Sequence, residues 1–393
     1  MKILFVINNC YIQGNGLYAS ARRTVKALRE AGEDVALLTS CDPDDPAQKP
    51  EFPLKKFHFP IFQPIIDSEG FCYADGDPKV IEEAIKWADV VHLEENFVLQ
   101  YKAIKFAKKW NKPLTATYHI HPENILCPLG MGKWGWASSL LLNAWRKLIY
   151  DHCLIIQCPT QNVYDRLLRH HLKAELRTIS NGLIPDACIR PETPPDNYLD
   201  PERPFEVLCI GRFAPEKDQV TLMEAMRYSR FAKRIHLSFA GNGPDEKRYK
   251  KKAKRLYDEG VVAYEPTFGF YDRQSLRELA ANADLCIHCA IHEVEGLSIM
   301  EALQQAAVPI IAEGRFSGTP QFALDRRSVF PAQNPEALAR RIDYWLSHPK
   351  ERWEMGFRYA LSMKQYDIAQ SVEQLIAMFH DAINKYPHVE ETS

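Results

Sequence analysis

Residues 2–40 read KILFVINNCYIQGNGLYASARRTVKALREAGEDVALLTS, and this stretch decides the fold class. An apolar run, KILFVIN, is followed by a glycine turn, a helical segment at 17–31 and a second apolar run, DVALLTS. Gly32 closes the helical segment. Apolar runs of this length on either side of a helix predict one β-α-β unit.

The same alternation of apolar runs and helical segments continues along the chain and indicates parallel sheets. Residues 184–204 are rich in proline and acid without an apolar period, which predicts a linker. A second series follows, including a predicted strand at VVAYE, 261–265. We therefore predict an α/β protein of two Rossmann-like doubly wound domains, 1–185 and 186–365. A final helix within 366–393 is expected to pack back on the first domain.

The composition supports a folded protein of two domains, with 393 residues, 46% of them hydrophobic and 25% charged. No apolar run reaches the ~18 residues of a membrane-spanning helix, and MKILFVINNC lacks a signal-peptide cleavage site. We expect a cytoplasmic protein. The formal net charge of -2 argues against a globally basic nucleic-acid binder. The ten dispersed cysteines are expected to be reduced thiols.

The stretch GRFAPEK (211–217) places Arg212 and Lys217 where a strand ends and a helix begins. The dipole of a helix disfavours cations at its N-terminus, so the pair indicates an anion nearby. In HEVEGLSIME (292–301), the amides of Gly296, Leu297 and Ser298 begin another helix, and such amides suit a diphosphate. The alternative is a capping box formed by Ser298 and Glu301.

These motifs, with GNG at 14–16 and 241–243 and with His119, resemble the retaining GT-B glycosyltransferases of family 4, also called group 1. The resemblance covers nearly the whole chain. It implies two domains facing a central cleft, the first on the acceptor side and the second binding a nucleotide-sugar donor. It also implies transfer with retention of anomeric configuration, without a metal or other cofactor.

The resemblance also implies roles for single residues. Glu293 would bind hydroxyls of the donor sugar and Glu301 those of the ribose, while Arg212 and Lys217 would neutralise the diphosphate. His119 would contact the sugar near the reacting carbon, with His121 as its nearest competitor. Gly241, Gly243 and Gly269 would let the backbone approach the nucleotide. Gly16 would be a donor-binding residue of the cleft, across from the donor phosphates. The chain departs from the family at Glu295, where an aromatic residue is frequent, and at SGTPQF (317–322), where two glycines and a glutamate are frequent.

Three other functions have partial support in the sequence. GNGLYA with Asp42 formally matches a dinucleotide-binding oxidoreductase, but NCYIQ makes the loop after the first strand too long. CIHCAIH (286–292) contains possible zinc ligands, but a strand alternates its side chains and keeps them from converging. A non-catalytic nucleotide-sugar sensor is ranked last because both glutamates of the motif are present.

The sequence evidence on the acceptor lies in the segment MGKWGWASSLLLNAWRKLIYDHC (131–153). It mixes aromatic and cationic residues as interfacial segments do. The candidate membrane or acceptor contacts in it are Lys133, Trp134, Trp136, Trp145, Arg146 and Lys147. The alternative is a core helix with inward tryptophans. SGTPQFALDRRSVF (317–330) resembles bacterial diacylglycerol glucosyltransferases.

We therefore predict transfer of a hexose, glucosyl from UDP-glucose, to a membrane lipid such as diacylglycerol. Such an enzyme would contact the inner face of the cell membrane peripherally, at anionic lipid. A surface polysaccharide or a soluble sugar is the competing acceptor.

Overall fold

The computed structural model describes residues 1–12, 15–42, 44–45, 47–60, 63, 66, 70–132 and 134–387. The chain divides into two compact units. Unit 1 contains Met1–Ile184 and the C-terminal segment from Ile368, and unit 2 contains Pro185–Asp367.

Unit 1 is built from strands and helices that alternate along the chain. In chain order they are β1 (Lys2–Asn9), α1 (Gly16–Glu30), β2 (Asp34–Ser40), β3 (Phe52–Leu54), β4 (Lys56–Phe57), β5 (Tyr73–Ala74), α2 (Pro78–Trp87), β6 (Val90–Leu93), α3 (Val98–Lys109), β7 (Leu114–Thr117), α4 (Pro122–Leu126), α5 (Gly135–Leu148), β8 (Ile155–Cys158), α6 (Gln161–Arg169) and β9 (Glu175–Thr178). Seven strands form one parallel sheet in the order β3-β2-β1-β6-β7-β8-β9, and β4 and β5 form an antiparallel pair.

The first β-α-β unit forms as the sequence predicts. Seven of the eight residues of β1 are buried, as expected of a central parallel strand covered on both faces. The side chain of Asn15 caps α1 by accepting from the Leu17 amide at 3.0 Å. The chain leaves the helix through Gly32, whose φ of +93° lies in the left-handed region that glycine tolerates.

The last helix of the chain belongs to unit 1 although it follows unit 2 in sequence. It is α13 (Ile368–Lys385), and its buried face shares a hydrophobic core with β1 and α1. Phe379 of this helix contacts Phe5 edge to face, with the ring centroids 6.3 Å apart.

Unit 2 repeats the alternation. In chain order its elements are β10 (Phe205–Ile210), α7 (Gln219–Ala225), β11 (Ile235–Ala240), α8 (Glu246–Asp258), β12 (Thr267–Gly269), α9 (Arg273–Asn282), β13 (Leu285–His288), β14 (His292–Glu293), α10 (Leu297–Gln304), β15 (Val308–Glu313), β16 (Phe316–Ser317), β17 (Val329–Pro331), α11 (Pro335–Ser347) and α12 (Pro349–Ser362). Six strands form a parallel sheet in the order β12-β11-β10-β13-β15-β17, and β14 pairs with β16.

The predicted strand at VVAYE is wrong. Only Val262 of its five residues is buried, and the strand β12 begins two residues later, at Thr267. β12 pairs with β11 through Ser238 and Thr267.

The linker predicted at 184–204 is packed onto unit 2. Arg190 is buried and donates hydrogen bonds to the carbonyl oxygens of Ala281 and Ala306, at 2.8 and 2.7 Å. The Tyr198 hydroxyl donates to the Pro349 carbonyl at 3.2 Å. This segment is therefore part of the fold of unit 2.

Two further features concern both units. All ten cysteines are free thiols. Among the described residues, no helix combines the length and the apolar character needed to cross a membrane.

Candidate active site

The candidate residues of unit 2 lie at one edge of its sheet. Arg212 and Lys217 follow β10, Gly241 follows β11, Gly269 ends β12, and Glu293 follows β13. The carboxyl ends of parallel strands meet at the same edge, and ligands of open α/β sheets bind there. The structure therefore brings the two motifs of the sequence together within unit 2.

Lys217 and Glu293 form an ion pair at this edge. The ammonium group of Lys217 donates to Oε2 of Glu293, and Nε2 of His288 lies 3.6 Å from the same oxygen. Burial acts to raise the pKa of Glu293, but Lys217 and His288 outweigh it and hold this pKa below its usual value. Burial lowers the pKa of His288 to about 4, so its ring is neutral at pH 7. The site thus holds one carboxylate and one ammonium in direct contact.

Arg212 is held by a buried carboxylate. Its guanidinium donates to Oε1 of Glu216 at 2.8 Å, and Glu216 is almost fully buried. The backbone carbonyl of Glu216 accepts from the Ile291 amide at 2.9 Å. Arg212 is therefore fixed to a loop that is itself tied to the segment after β13.

Two glycines let the loops after β10 and β11 pack closely. Gly241 has φ of +154°, and a Cβ at this position would lie 2.1 Å from the carbonyl oxygen of Gly211. Gly243 has φ of +153°, and its Cβ would lie 2.5 Å from the carbonyl oxygen of Phe213. The Gly241 amide donates to the Gly269 carbonyl at 2.8 Å, so β12 joins the same arrangement.

Helix α10 begins at Leu297 after Gly296, whose φ is +84°. Ser298 lies inside the first turn and no side chain caps the helix, so the capping-box alternative is wrong. The first amides of a helix have no partner within it, and those of Leu297 and Ser298 are in this position. Glu301 follows one turn later and is half-buried.

The segment SGTPQF (317–322), where the sequence departs from the family, packs against the turn at Gly296. Gly318 donates its amide to the Glu293 carbonyl at 2.8 Å, and β16 pairs with β14 through Ser317 and Glu293. A Cβ on Gly296 would lie 2.4 Å from Cγ2 of Thr319. The SGTPQF segment therefore fixes the backbone that carries Glu293.

In unit 1, His119 lies two residues after β7, at the carboxyl edge of that sheet. Its Nε2 is 2.6 Å from Oε2 of Glu94, and its side chain is 6% exposed. His121 is fully buried, with Nδ1 3.0 Å from Arg166 and 3.1 Å from the Tyr118 hydroxyl. His121 therefore belongs to the interior, and His119 is the better candidate for a ligand contact.

Gly16 is the first residue of α1. Gly14, the other glycine of the GNG turn, lies outside the described residues. Six residues separate the end of β1 at Asn9 from Gly16, which agrees with the loop being longer than a dinucleotide turn.

The segment 131–153 has two kinds of tryptophan. Trp134 and Trp136 are 47% and 67% exposed, and their rings stack with centroids 5.8 Å apart. Trp145 is only 6% exposed and lies on the buried face of α5. The prediction that Trp145 contacts the membrane is therefore wrong. Trp145 lies nine residues from Trp136, or two and a half helical turns, and so on the opposite face of the helix.

The cations of the same segment also differ. Arg146 donates to the carbonyl oxygens of His170 and His171, both at 3.2 Å, and so serves the fold of unit 1. Lys147 is exposed, and Lys133 lies outside the described residues. Lys147 and Arg146 both stay predictions as membrane contacts, although Arg146 also has a structural role within unit 1.

Within the described ranges, no group of three or more His, Cys, Asp or Glu side chains has the geometry of a metal site.

Glu94, which contacts His119 within unit 1, was not predicted from the sequence. It follows β6 directly, as His119 follows β7. The position of Glu94 at the carboxyl edge of a parallel sheet could have identified it as a candidate. The sequence does not distinguish it from the adjacent Glu95, which follows the same strand.

Comparisons with known proteins agree with this fold. The model of Glycosyltransferase Family 4 matches residues 14–187, and that of Glycosyl transferases group 1 matches residues 192–360. The protein has the GT-B fold. The chain belongs to the family 4 (group 1) glycosyltransferases and is a glycosyltransferase.

Among curated proteins, the chain is similar to two alpha-monoglucosyldiacylglycerol synthases. The one from Streptococcus pneumoniae is 24% identical over 80% of this chain and 71% of its own length. The one from Acholeplasma laidlawii is 22% identical over 76% of each chain. A sulfoquinovosyl transferase from Arabidopsis thaliana is 22% identical over 81% of this chain and 60% of its own length.

Among solved structures, the sucrose-phosphate synthase of Thermosynechococcus elongatus has a TM-score of 0.72. It is 16% identical and covers 98% of this chain and 99% of its own. Anabaena HepE in complex with UDP-glucose has a TM-score of 0.69, at 15% identity over 97% of this chain and its whole length. These structures share the fold.

Proposed function

We propose that this glycosyltransferase transfers a hexosyl group, glucosyl from UDP-glucose, to the hydroxyl of a membrane lipid such as diacylglycerol. The reaction retains the anomeric configuration and needs no metal or other cofactor. The observation that carries the proposal is the contact of Lys217 with Glu293 beside the first amides of α10. A cation that can bind the diphosphate thus lies beside a carboxylate that can accept hydrogen bonds from sugar hydroxyls. A sugar diphosphate requires both.

The Lys217–Glu293 ion pair has two parts to play when a donor binds. A diphosphate attracts the ammonium of Lys217, and Arg212 adds a second cation nearby. Sharing Lys217 with the diphosphate leaves oxygens of the Glu293 carboxylate able to accept hydrogen bonds from sugar hydroxyls. The ion pair keeps both charges compensated while the site is empty.

The rest of the donor follows the direction of the chain after Glu293. The amides of Leu297 and Ser298 and the dipole of α10 favour the diphosphate. Glu301, one turn further on, accepts from the ribose hydroxyls. The glycines at 241 and 269 leave backbone, without side chains, beside the nucleotide.

Two cations and a helix N-terminus stabilise the negative charge that develops on the leaving diphosphate. For this reason we propose that no divalent metal takes part. Retention follows if the acceptor hydroxyl attacks from the side on which the diphosphate leaves, with a phosphate oxygen accepting its proton. His119 contacts the transferred sugar in this proposal.

The lipid acceptor is supported by the names of the similar proteins and by the surface of unit 1. Two of these proteins are named as synthases of a glucosyldiacylglycerol. Trp134 and Trp136 form an exposed apolar pair next to Leu140, which is itself exposed. Aromatic side chains of this kind insert at the headgroup level of membranes, which supports peripheral contact with anionic lipid at the cytoplasmic face.

A donor screen by nucleotide release tests the proposal. We expect UDP-glucose turnover to rise at least tenfold when diacylglycerol-containing anionic vesicles are added, with the chelator EDTA present throughout. Turnover that rises instead with soluble sugars or polysaccharide would replace the lipid acceptor. Absence of turnover with every nucleotide sugar would contradict the enzyme proposal itself.

A further inference from the structure

Glu94 connects two histidines within unit 1. Its Oε2 lies 2.6 Å from Nε2 of His119, and its Oε1 lies 3.4 Å from Nε2 of His92. All three side chains are at least nine-tenths buried. They follow or belong to the neighbouring strands β6 and β7, so the sheet itself sets their spacing.

The ionisation of Glu94 determines where the proton of the short hydrogen bond lies. Burial acts to raise the pKa of Glu94, but His119 and His92 outweigh it and lower this pKa to about 2. The carboxylate is therefore ionised at neutral pH and can only accept. Nε2 of His119 must then carry the hydrogen, and Nδ1 is the nitrogen left for another partner.

His92 is oriented by its own contacts. Its Nδ1 lies 2.9 Å from Oγ1 of Thr115, and its Nε2 lies 2.9 Å from Oγ1 of Thr117. Because Thr117 donates to Oε1 of Gln157 at 2.6 Å, its oxygen accepts from His92. Nε2 of His92 thus carries a hydrogen, and the same nitrogen lies 3.4 Å from Oε1 of Glu94.

Nδ1 of His119 has no hydrogen-bond partner among the described residues. This nitrogen is not fully buried. It is the atom through which this otherwise buried ring can meet a ligand. Rotation of the ring would exchange the two nitrogens, and the bond to Glu94 opposes that rotation.

We propose that Glu94 is a positioning residue, which fixes the ring and the tautomer of His119 so that Nδ1 is the nitrogen presented to the bound sugar. The role in catalysis rests on the proposed function, whereas the fixed tautomer is a property of the free enzyme. A sugar hydroxyl then donates to a lone pair whose direction the protein sets in advance. Such preorganisation matters because misplacing a contact by about 1 Å can cost on the order of a hundredfold in rate.

Nitrogen-15 NMR of protein labelled at histidine tests the tautomer directly. The His119 signals are assigned from their loss in His119→Gln, and spectra are taken at pH 8. In the wild type we expect the hydrogen of His119 to lie on Nε2 and not on Nδ1. In Glu94→Gln the single tautomer should be replaced by a mixture of both, because an amide can donate as well as accept.

Glu95→Gln is the matched control. Glu95 is the adjacent carboxyl group, but its Oε2 is bonded to Asn8 and Gln100 and not to His119. The His119 tautomer should be unchanged in this variant. A wild-type His119 with its hydrogen on Nδ1, or an unchanged single tautomer in Glu94→Gln, would overturn the proposal. The wild-type spectrum decides even if Glu94→Gln does not fold.

Kinetics separate this inference from the proposed function. Glu94→Gln should lower kcat by about ten- to a hundredfold with KM for the donor within about twofold, and Glu95→Gln should leave both nearly unchanged. A tautomer mixture in Glu94→Gln together with wild-type kcat would contradict the sugar contact of His119 while leaving the positioning by Glu94 intact.

Discussion

At the scale of single residues, the donor proposal depends on Lys217 and Arg212. We expect Lys217→Ala and Arg212→Ala each to lower kcat by roughly a hundredfold or more, because each removes a cation that stabilises the leaving diphosphate. Steady-state kinetics with the donor identified by nucleotide release measure this effect.

Lys251 is the matched control for these two cations. It lies on an exposed face of α8, among lysines that pair with acidic side chains, such as Lys250 with Glu246 at 2.7 Å. Lys251→Ala should change kcat by less than about twofold. Equal losses for Lys217, Arg212 and Lys251 would show that the donor site lies elsewhere.

Glu94 and Glu95 are adjacent buried carboxyl groups with opposite pKa shifts. Burial raises the pKa of Glu95 to about 7, since its Oε1 has no hydrogen-bond partner and only Oε2 accepts from Asn8 and Gln100. A carboxyl whose pKa is raised on folding stabilises the fold at low pH. That stability is lost as the pH rises from the unfolded value of about 4.5 to about 7.

We therefore expect Glu95→Gln to be more stable than the wild type at pH 8, by up to about 3 kcal/mol, and nearly equal to it at pH 4.5. Glu94→Gln should show the opposite sign at pH 8, because it removes an ionised partner of His119 and His92. Urea unfolding at the two pH values, followed by circular dichroism, measures both. A wild type and a Glu95→Gln variant with parallel pH profiles would contradict the shift.

At the scale of elements, helix α5 presents Trp134 and Trp136 at its start and buries Trp145 near its end. Partial insertion of two tryptophans contributes about 2 kcal/mol to membrane binding, or about thirtyfold in affinity. Trp134→Ser combined with Trp136→Ser should weaken co-sedimentation with anionic vesicles by that factor.

The control for this surface is Tyr228→Ser combined with Leu361→Ser, which removes two side chains of similar exposure from unit 2. It should bind vesicles as the wild type does. If the wild type itself remains in the supernatant with anionic lipid, the result contradicts the proposed membrane acceptor and favours a soluble one.

Elements were predictable where an apolar run is also buried. VPIIAE at 308–313 forms β15 at the expected residues, and five of its six residues are buried. VVAYE has a similar composition but buries only Val262 and forms no strand. The difference lies in which residues pair with β11. The Gly241 amide donates to the Gly269 carbonyl, and residues 267–269, not 261–265, pair with β11.

At the scale of the whole molecule, both parallel sheets could be predicted from the alternation of strands and helices. So could the position of GRFAPEK and HEVEGLSIME at one edge of the second sheet. Contacts between residues distant in sequence could not. Glu94 meets His119 across 25 positions, and Gly318 supports Glu293 across a similar distance. The two faces of α5 also escaped prediction, since a mixture of tryptophans and cations does not reveal which side packs inward.

The anomeric configuration of the product tests the central claim most directly. The wild-type enzyme is incubated with UDP-glucose labelled with carbon-13 and with diacylglycerol in anionic vesicles, in the presence of EDTA, and the glycolipid is examined by NMR. UDP-glucose is an α-linked donor, so retention predicts an α-linked glucosyl lipid. A β-linked product, or transfer that requires a divalent metal, would contradict the account.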